Sequence, residues 1–251
     1  MQWGCSPSDT PGSDTPRTST EEQPIQSTHR LDDCAQLRLQ GEFHLTIERT
    51  ATPAAELEVR SEQPVAANRV QVAQQSEGVS VLVAPGATPL QLQVRCNRIT
   101  DVQLLGAVTA QLVDAESRLL DVTRLAVYGA SVLNVAGISA DALDLRSSGA
   151  AQLVVERVVL ESLQILAASA SRVTVTGDST RFSLDVTGAA QVNAAELSSQ
   201  TITVNGRGSS LARVQPSAHL QGQLADTSQL IYTGTPDVSV TLNDAAQIQQ
   251  Q

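Results

Sequence analysis

Residues 143–155 read Leu143-Asp144-Leu145-Arg146-Ser147-Ser148-Gly149-Ala150-Ala151-Gln152-Leu153-Val154-Val155. Apolar side chains stand at steps of two on both sides of a small triplet: Leu143 and Leu145 before it, Leu153 and Val155 after it. A step of two is the period of a strand, so this stretch predicts two short strands joined by a tight bend. The same figure returns along the chain. Its corners begin at Gly129, Gly149, Ser169, Gly188, Gly208, Asp226 and Asp244. Leu163, Phe182, Ile202, Leu220 and Val238 take the place of Leu143, and Leu133, Val173, Val192, Ala212, Leu230 and Ile248 that of Leu153. The third corner residue is always Ser or Ala.

Corner to corner, the period is about 18–20 residues, and one coil of that size cannot bury its inward face except against a neighbour of the same shape. Equivalent strands would pair in parallel about 4.8 Å apart, with aliphatic ladders inside and small residues where two backbones crowd at the corner. The predicted fold is all-β: a parallel β-helix, or β-solenoid. A leucine-rich repeat would need Leu-x-x-Leu-x-Leu and a helical return, and the sequence has neither.

Upstream, residues 37–105 alternate without a regular period, as in Leu37, Leu39, Phe43, Leu45 and Ile47, and again in Val79, Val81 and Val83. These predict irregular strands that cap the stack, because an open terminal coil offers unpaired edges. Gly106-Ala107, a weaker corner slightly more than one period before Gly129, marks the junction, with a turn at Arg95-Cys96-Asn97-Arg98. The expected organisation is a disordered tether over 1–30, capping strands over 31–105 and solenoid repeats over 106–251, the last two forming one folded domain. The tether reading rests on Ser, Thr, Pro and acidic residues, which bury too little apolar surface to offset their ordering entropy.

Within that tail, Trp3-Gly4-Cys5-Ser6 resembles the end of a bacterial lipoprotein signal, in which a small residue precedes a Cys that takes lipid. The expectation is a lipidated Cys5, the charged and apolar parts of a leader being either outside this sequence or never present, and the alternative is an ordinary flexible tail with a lone thiol. A linker of about 25 residues would hold the folded part up to roughly 80 Å from the membrane. The other two cysteines, Cys34 and Cys96, leave two readings open. They could form a disulfide worth about 4 kcal/mol in an oxidising compartment. Alternatively, Cys96 shares the parity of Leu90, Leu92 and Val94 and would be a small buried hydrophobe.

From about residue 35 onward the chain resembles the GIN-domain family, also called the putative auto-transporter adhesin head domain or domain of unknown function 2807. The features that carry the resemblance are Leu39-Gln40-Gly41-Glu42-Phe43-His44-Leu45-Thr46-Ile47, the recurring Gly-Ala-Ser/Ala corners, and Tyr232-Thr233-Gly234-Thr235-Pro236-Asp237-Val238 before the last corner. Asp replaces Gly at the last two corners. The resemblance implies an exported, often lipid-anchored, right-handed β-helical protein of the bacterial envelope, outer membrane or periplasm. It brings no catalytic site and no cofactor.

Composition limits the chemistry. The formal charge is −10 and all 16 basic residues are Arg, which argues against a nucleic-acid partner. No apolar run approaches the roughly 18 residues of a membrane helix. His29, His44 and His219 are isolated and read as tail, strand face and loop rather than metal ligands. There is no Gly-x-Ser-x-Gly elbow or Walker loop, and the absence of Lys removes lysine chemistry. Asn205-Gly206-Arg207-Gly208 reads as a turn at a corner. Asp114, Glu116, Arg118, Asp121 and Arg124 form the nearest thing to a charged constellation, and read as mixed charges on a solvated rim.

The expectation is a non-enzymatic, adhesin-like or scaffolding envelope protein whose solenoid meets an extracellular or periplasmic protein or glycan. One alternative is a polysaccharide-binding or lyase-like β-helix, though outside Trp3 only Tyr128 and Tyr232 are candidate rings for stacking sugars. Another is a homo-oligomeric scaffold joined through its terminal coils, since Gln247 to Gln251 carry no charge to protect the edge.

Overall fold

The computed structural model describes residues 23–52, 54–65, 69–75, 78–86 and 89–251. Among these there are seventeen strands and no α-helix. In chain order they are β1 (Gln23–Leu31), β2 (Gln36–Arg49), β3 (Ala55–Val65), β4 (Val70–Gln75), β5 (Gly78–Val83), β6 (Leu90–Cys96), β7 (Asp101–Asp114), β8 (Arg124–Gly129) and β9 (Val132–Val135). They continue with β10 (Ile138–Gly149), β11 (Gln152–Ala167), β12 (Arg172–Val186), β13 (Gln191–Gly206), β14 (Leu211–Leu224), β15 (Gln229–Tyr232), β16 (Asp237–Leu242) and β17 (Gln247–Gln250). The chain is a β-solenoid of about 8 turns.

From β7 onward each coil pairs in parallel with the next, in the register that the sequence period predicts. Leu153 stands beside Val173, and Val173 beside Val192. On the face leading into the corner, Leu145, Ile165, Leu184 and Val204 form the equivalent ladder. All of these side chains are buried, and they belong to one apolar core that runs from Leu31 to Leu230. The shorter coils arise where β14 skips the bulge at Ala195–Leu197 of β13, so that the third side of the coil contracts.

The corners join the coils through the backbone. The N–H of Ala150 donates to the Gly129 carbonyl at 2.7 Å, that of Ala170 to Gly149 at 2.9 Å and that of Ala189 to Ser169 at 2.7 Å. Such approach leaves no room for a side chain: a Cβ on Gly149, whose φ is +86°, would lie 2.6 Å from the Gly129 oxygen. Ser169, Asp226 and Asp244 occupy the same left-handed region, at φ 64°, 60° and 57°. Asp tolerates it better than most residues. Here it also gains a partner, because the Asp226 carboxylate accepts the N–H of Gly208 at 2.8 Å and the Asp244 carboxylate that of Asp226 at 3.3 Å. The departure from Gly at the last two corners therefore comes with a bond that Gly cannot make.

The N-terminal part corrects two expectations. The solenoid does not begin at residue 106. β2 pairs with β7 along its whole length, from Gln36↔Asp101 to Arg49↔Asp114, and Gly41 faces Gly106 as an earlier bend. On its other edge β2 pairs in parallel with β5 and β6, which form the first rung. The chain thus lays down the second rung, leaves through β3 and β4, returns to build the first, and crosses to the third. Capping belongs to β3, antiparallel on β6, to β1, antiparallel on β3, and to β4, antiparallel on β5.

The second correction concerns residues 23–30, which lie in β1 rather than in a tether, and His29 with them. Most of the described side chains of β1 are exposed. What orders it is backbone pairing, from Thr28↔Glu58 to Leu31↔Ala55, together with burial of Leu31. A composition argument counts apolar surface and misses hydrogen bonds supplied by an edge strand. The structure joins Cys34, just before β2, to Cys96, at the end of β6, in a disulfide with a Cα–Cα distance of 6.1 Å. The bond staples the first two rungs at the point where the chain crosses over.

Substitution at the corners tests this account. Gly149→Val should cost about 1–3 kcal/mol, read as a lower urea midpoint, because it adds left-handed strain and a backbone clash. Ser169→Gly should change stability by less than about 1 kcal/mol, since relief of strain is offset by a freer unfolded chain.

Candidate binding surface

Because the coils stack in register, outward residues form ladders as regular as the inward ones. On the face that follows the corner, Gln152, Arg172 and Gln191 stand side by side, with Thr174 beside Asn193 two residues along; half-buried Leu211 separates them from Gln229 and Gln247, as half-buried Val132 separates Gln152 from Thr109 of β7. At the N-terminal end this face passes from β7 through β2 and β6 to antiparallel β3. The four strands line an open hollow of about 320 Å³ with His44, Thr46, Glu58, Arg60, Gln91, Gln93, Thr109 and Gln111. Amides, hydroxyls, an imidazole, a guanidinium and a carboxylate all border it. Arg60 Nε donates to Glu58 Oε1 at 2.7 Å, and Gln26 to the same oxygen at 3.4 Å. The Arg60 hydrogen bond, outweighing partial desolvation, holds the Glu58 carboxyl below its ordinary range. The site therefore presents both charges at neutral pH.

The face leading into the corner carries an alternating charge ladder. Arg124 lies between Asp101 and Asp144 on neighbouring strands, at 3.4 and 3.6 Å. Asp144 also pairs with Arg146 at 2.9 Å. Burial pushes the Asp101 carboxyl up, with Arg124 opposing and Asp144 adding to the rise, while hydrogen bonding to Asp144 raises Arg146. Beside this ladder Tyr128 and Arg146 border a second hollow of about 250 Å³ with Asp185 and Thr187. Tyr128 is half-buried, whereas Phe43 and Phe182 are buried in the core.

The proposed rim constellation does not stay together. Arg124 belongs to the charge ladder and Asp121 is exposed elsewhere, bordering another hollow with Asp141. Asp114, Glu116 and Arg118 form one turn, and Asp114 is buried rather than solvated. His219 lies on β14 rather than in a loop, with Asp237 at 3.7 Å. Cys5 lies outside the described residues. Among those described, no group of three or more His, Cys, Asp or Glu side chains is placed to hold a metal ion, and no helix is long and apolar enough to cross a membrane.

Residues 113–236 match the family described as putative auto-transporter adhesin, head GIN domain. That segment, just under half of the chain, is similar to this family. The match starts at the end of β7 and stops before β16, a narrower reach than the resemblance from residue 35. Solved structures extend the likeness of fold. A putative adhesin from Parabacteroides distasonis ATCC 8503 superposes with a TM-score of 0.80 at 14% identity, covering 92% of this chain and 98% of the other. One from Parabacteroides merdae ATCC 43184 gives 0.79 at 14% identity, covering 92% and 97%. A putative lipid binding protein from Parabacteroides distasonis ATCC 8503 gives 0.78 at 12%, covering 92% and 98%. No curated protein matches the sequence. Coverage of 92% takes in most of the N-terminal rungs, so the shared architecture is larger than the matched GIN segment.

At the N-terminal boundary of that segment, Asp114 fastens the GIN repeats to the rungs before them. Its carboxylate accepts Arg49 Nε at 2.5 Å, and the N–H groups of Glu116 and Arg118 at 3.0 and 2.9 Å. Burial by itself would raise this carboxyl, but these bonds and the Arg49 charge outweigh it and lower it to about 2. The unfolded chain binds the proton more tightly than the folded one. The stabilisation is therefore complete above about pH 4 and is lost as pH falls toward 2. Asp114→Asn should cost about 1–2 kcal/mol at pH 7, allowing for screening of the exposed Arg118, and much less at pH 2. Urea unfolding of both proteins at the two pH values measures it.

Proposed function

We propose that this chain is a non-enzymatic, adhesin-like protein of the bacterial cell envelope, anchored through a lipid on Cys5, that holds an extended glycan along its outer face. One observation carries the reading. The polar hollow over β3, β6, β2 and β7 shares its face with in-register rows of amide, hydroxyl and guanidinium groups, interrupted by Val132 and Leu211. Parallel rungs repeat about every 4.8 Å, so these groups are held at fixed intervals by the backbone and need little ordering on binding. A chain-like polar ligand can engage several rungs at once, while the paired charges of Glu58 and Arg60 select at one end.

The family and the similar structures support an adhesin-like role, and the regular faces support binding rather than turnover. A peptide segment paired along the same rungs is an outcome that the binding experiment separates from a glycan.

Titration with a panel of neutral and acidic polysaccharides, followed by calorimetry, tests the proposal. Arg60→Ala and Gln93→Ala should each weaken binding about tenfold, the scale of one lost hydrogen bond to a charged or polar group, without moving the unfolding midpoint. Cys5→Ser should release the protein from the membrane fraction. Release of unsaturated sugar products would overturn the non-enzymatic reading. Binding unaffected by both substitutions would overturn the placement of the site.

A further inference from the structure

The face leading into the corner holds a notch that the polar hollow at Glu58 does not reach. Two outward rows cross it. In one, Arg146 of β10, Leu166 of β11 and Asp185 of β12 stand side by side. In the next, two residues along, Tyr128 of β8 stands beside Ser148 of β10, and the row runs on past Ala168 to Thr187. Ser148 and Ala168 are short, so the space between Tyr128 and Thr187 stays open as the hollow of about 250 Å³, with half-buried Leu166 in its floor.

The groups around the notch are of unlike kinds. Arg146 is fixed at one end, because its Nε donates to Asp144 at 3.0 Å and a second guanidinium nitrogen lies 2.9 Å from the same carboxylate. The fork keeps further N–H groups free to donate. Asp185, exposed at the other end, has no hydrogen-bond or ion-pair partner among the described residues. The two Cα atoms are two strand spacings apart, about 10 Å, with the aliphatic Leu166 between them. Half-buried Tyr128 lines the notch on the neighbouring row.

We propose that this notch holds a single neutral pyranose residue. A hydroxyl both donates and accepts, so one ring lying over Leu166 can donate to Asp185 through one hydroxyl and accept from Arg146 through another. Its apolar C–H face rests on Leu166 and Tyr128. A ligand carrying one charge meets its like at one end, an acid at Asp185 and an amine at Arg146. An aliphatic ligand would desolvate both ionised groups without giving either a partner. The volume lies below the roughly 300–1,000 Å³ of a pocket for a drug-sized ligand, which suits one ring rather than a longer segment. The site shares its class of ligand with the proposed function, but it lies on a different face and does not depend on the hollow at Glu58.

Saturation-transfer NMR of the full chain with the methyl glycosides of glucose, galactose, mannose and N-acetylglucosamine tests the assignment. At least one should bind, with a Kd of about 1 mM or weaker, as a single ring in a shallow site does. Tyr128→Leu and Asp185→Ala should each weaken that binding by about fivefold or more while the unfolding midpoint stays in place, and Tyr128→Phe, which keeps the ring, should stay within about twofold of the parent. Transfer to none of the glycosides, or binding indifferent to both Tyr128→Leu and Asp185→Ala, would overturn the proposal. So would tighter binding of methyl glucuronide or of glucosamine, which would mark a site for one charge alone. Loss of binding in Arg60→Ala rather than in Tyr128→Leu would place the sugar in the other hollow and overturn this site. Because the probes are single rings, the result stands apart from whether polysaccharides bind along the rows.

Discussion

The backbone hydrogen bond from the middle residue of one corner to the first carbonyl of the corner before it is the constraint from which the architecture follows. It draws two chains so close that the first corner residue must be Gly, or a residue that tolerates a left-handed φ, and that the third corner position must be Ser or Ala. Once corners are locked at this spacing, the strands on either side have no freedom of register. Inward positions then align as aliphatic ladders and outward positions as polar ones. The core and the candidate binding surface are thus two readings of one repeat.

This explains which parts can be read from sequence. Leu153, Val173 and Val192 are legible as a ladder because the corners between them recur at a nearly constant interval. Gly41 is not legible as a bend because Gly106, its neighbour in space, lies far downstream, with β3 to β6 inserted between them. The same insertion hides the Arg49–Asp114 pair and the contribution of β3 to the hollow. Arg124 is grouped with the wrong carboxylates for a related reason. Closeness in sequence suggests Asp121, whereas one coil along the stack sets Arg124 between Asp101 and Asp144. The usable signal is the coil length itself, since Arg124 and Asp144 stand one full period apart in the chain and pair directly in register.

The crossover in the first rungs has a mechanical role. Repeat proteins are stabilised mainly by contacts between neighbours, so their ends are where they open. Here the rung laid down first in sequence is enclosed on both edges. The segment that encloses it is closed by the Cys34–Cys96 bond, and its junction to the GIN repeats by the buried Asp114 carboxylate. Three unlike interactions, covalent, ionic and antiparallel pairing, converge on the end that also carries the polar hollow. A binding surface built from four strands of different sequence position needs such reinforcement, because no single repeat can hold it in shape.

Toward the other end these devices thin out. Coils shorten, Asp replaces Gly at the corners, and inward residues change from buried Leu and Ile to partly exposed Val, Ala and Ile. The Asp carboxylates that accept corner N–H groups compensate locally, each bonding to the rung before it rather than to a rung that would follow. They secure the last coils to the stack from one side and leave the outer edge of β16 and β17 unoccupied. A rod with a rigid, functionalised end and an unpaired end is polar along its axis.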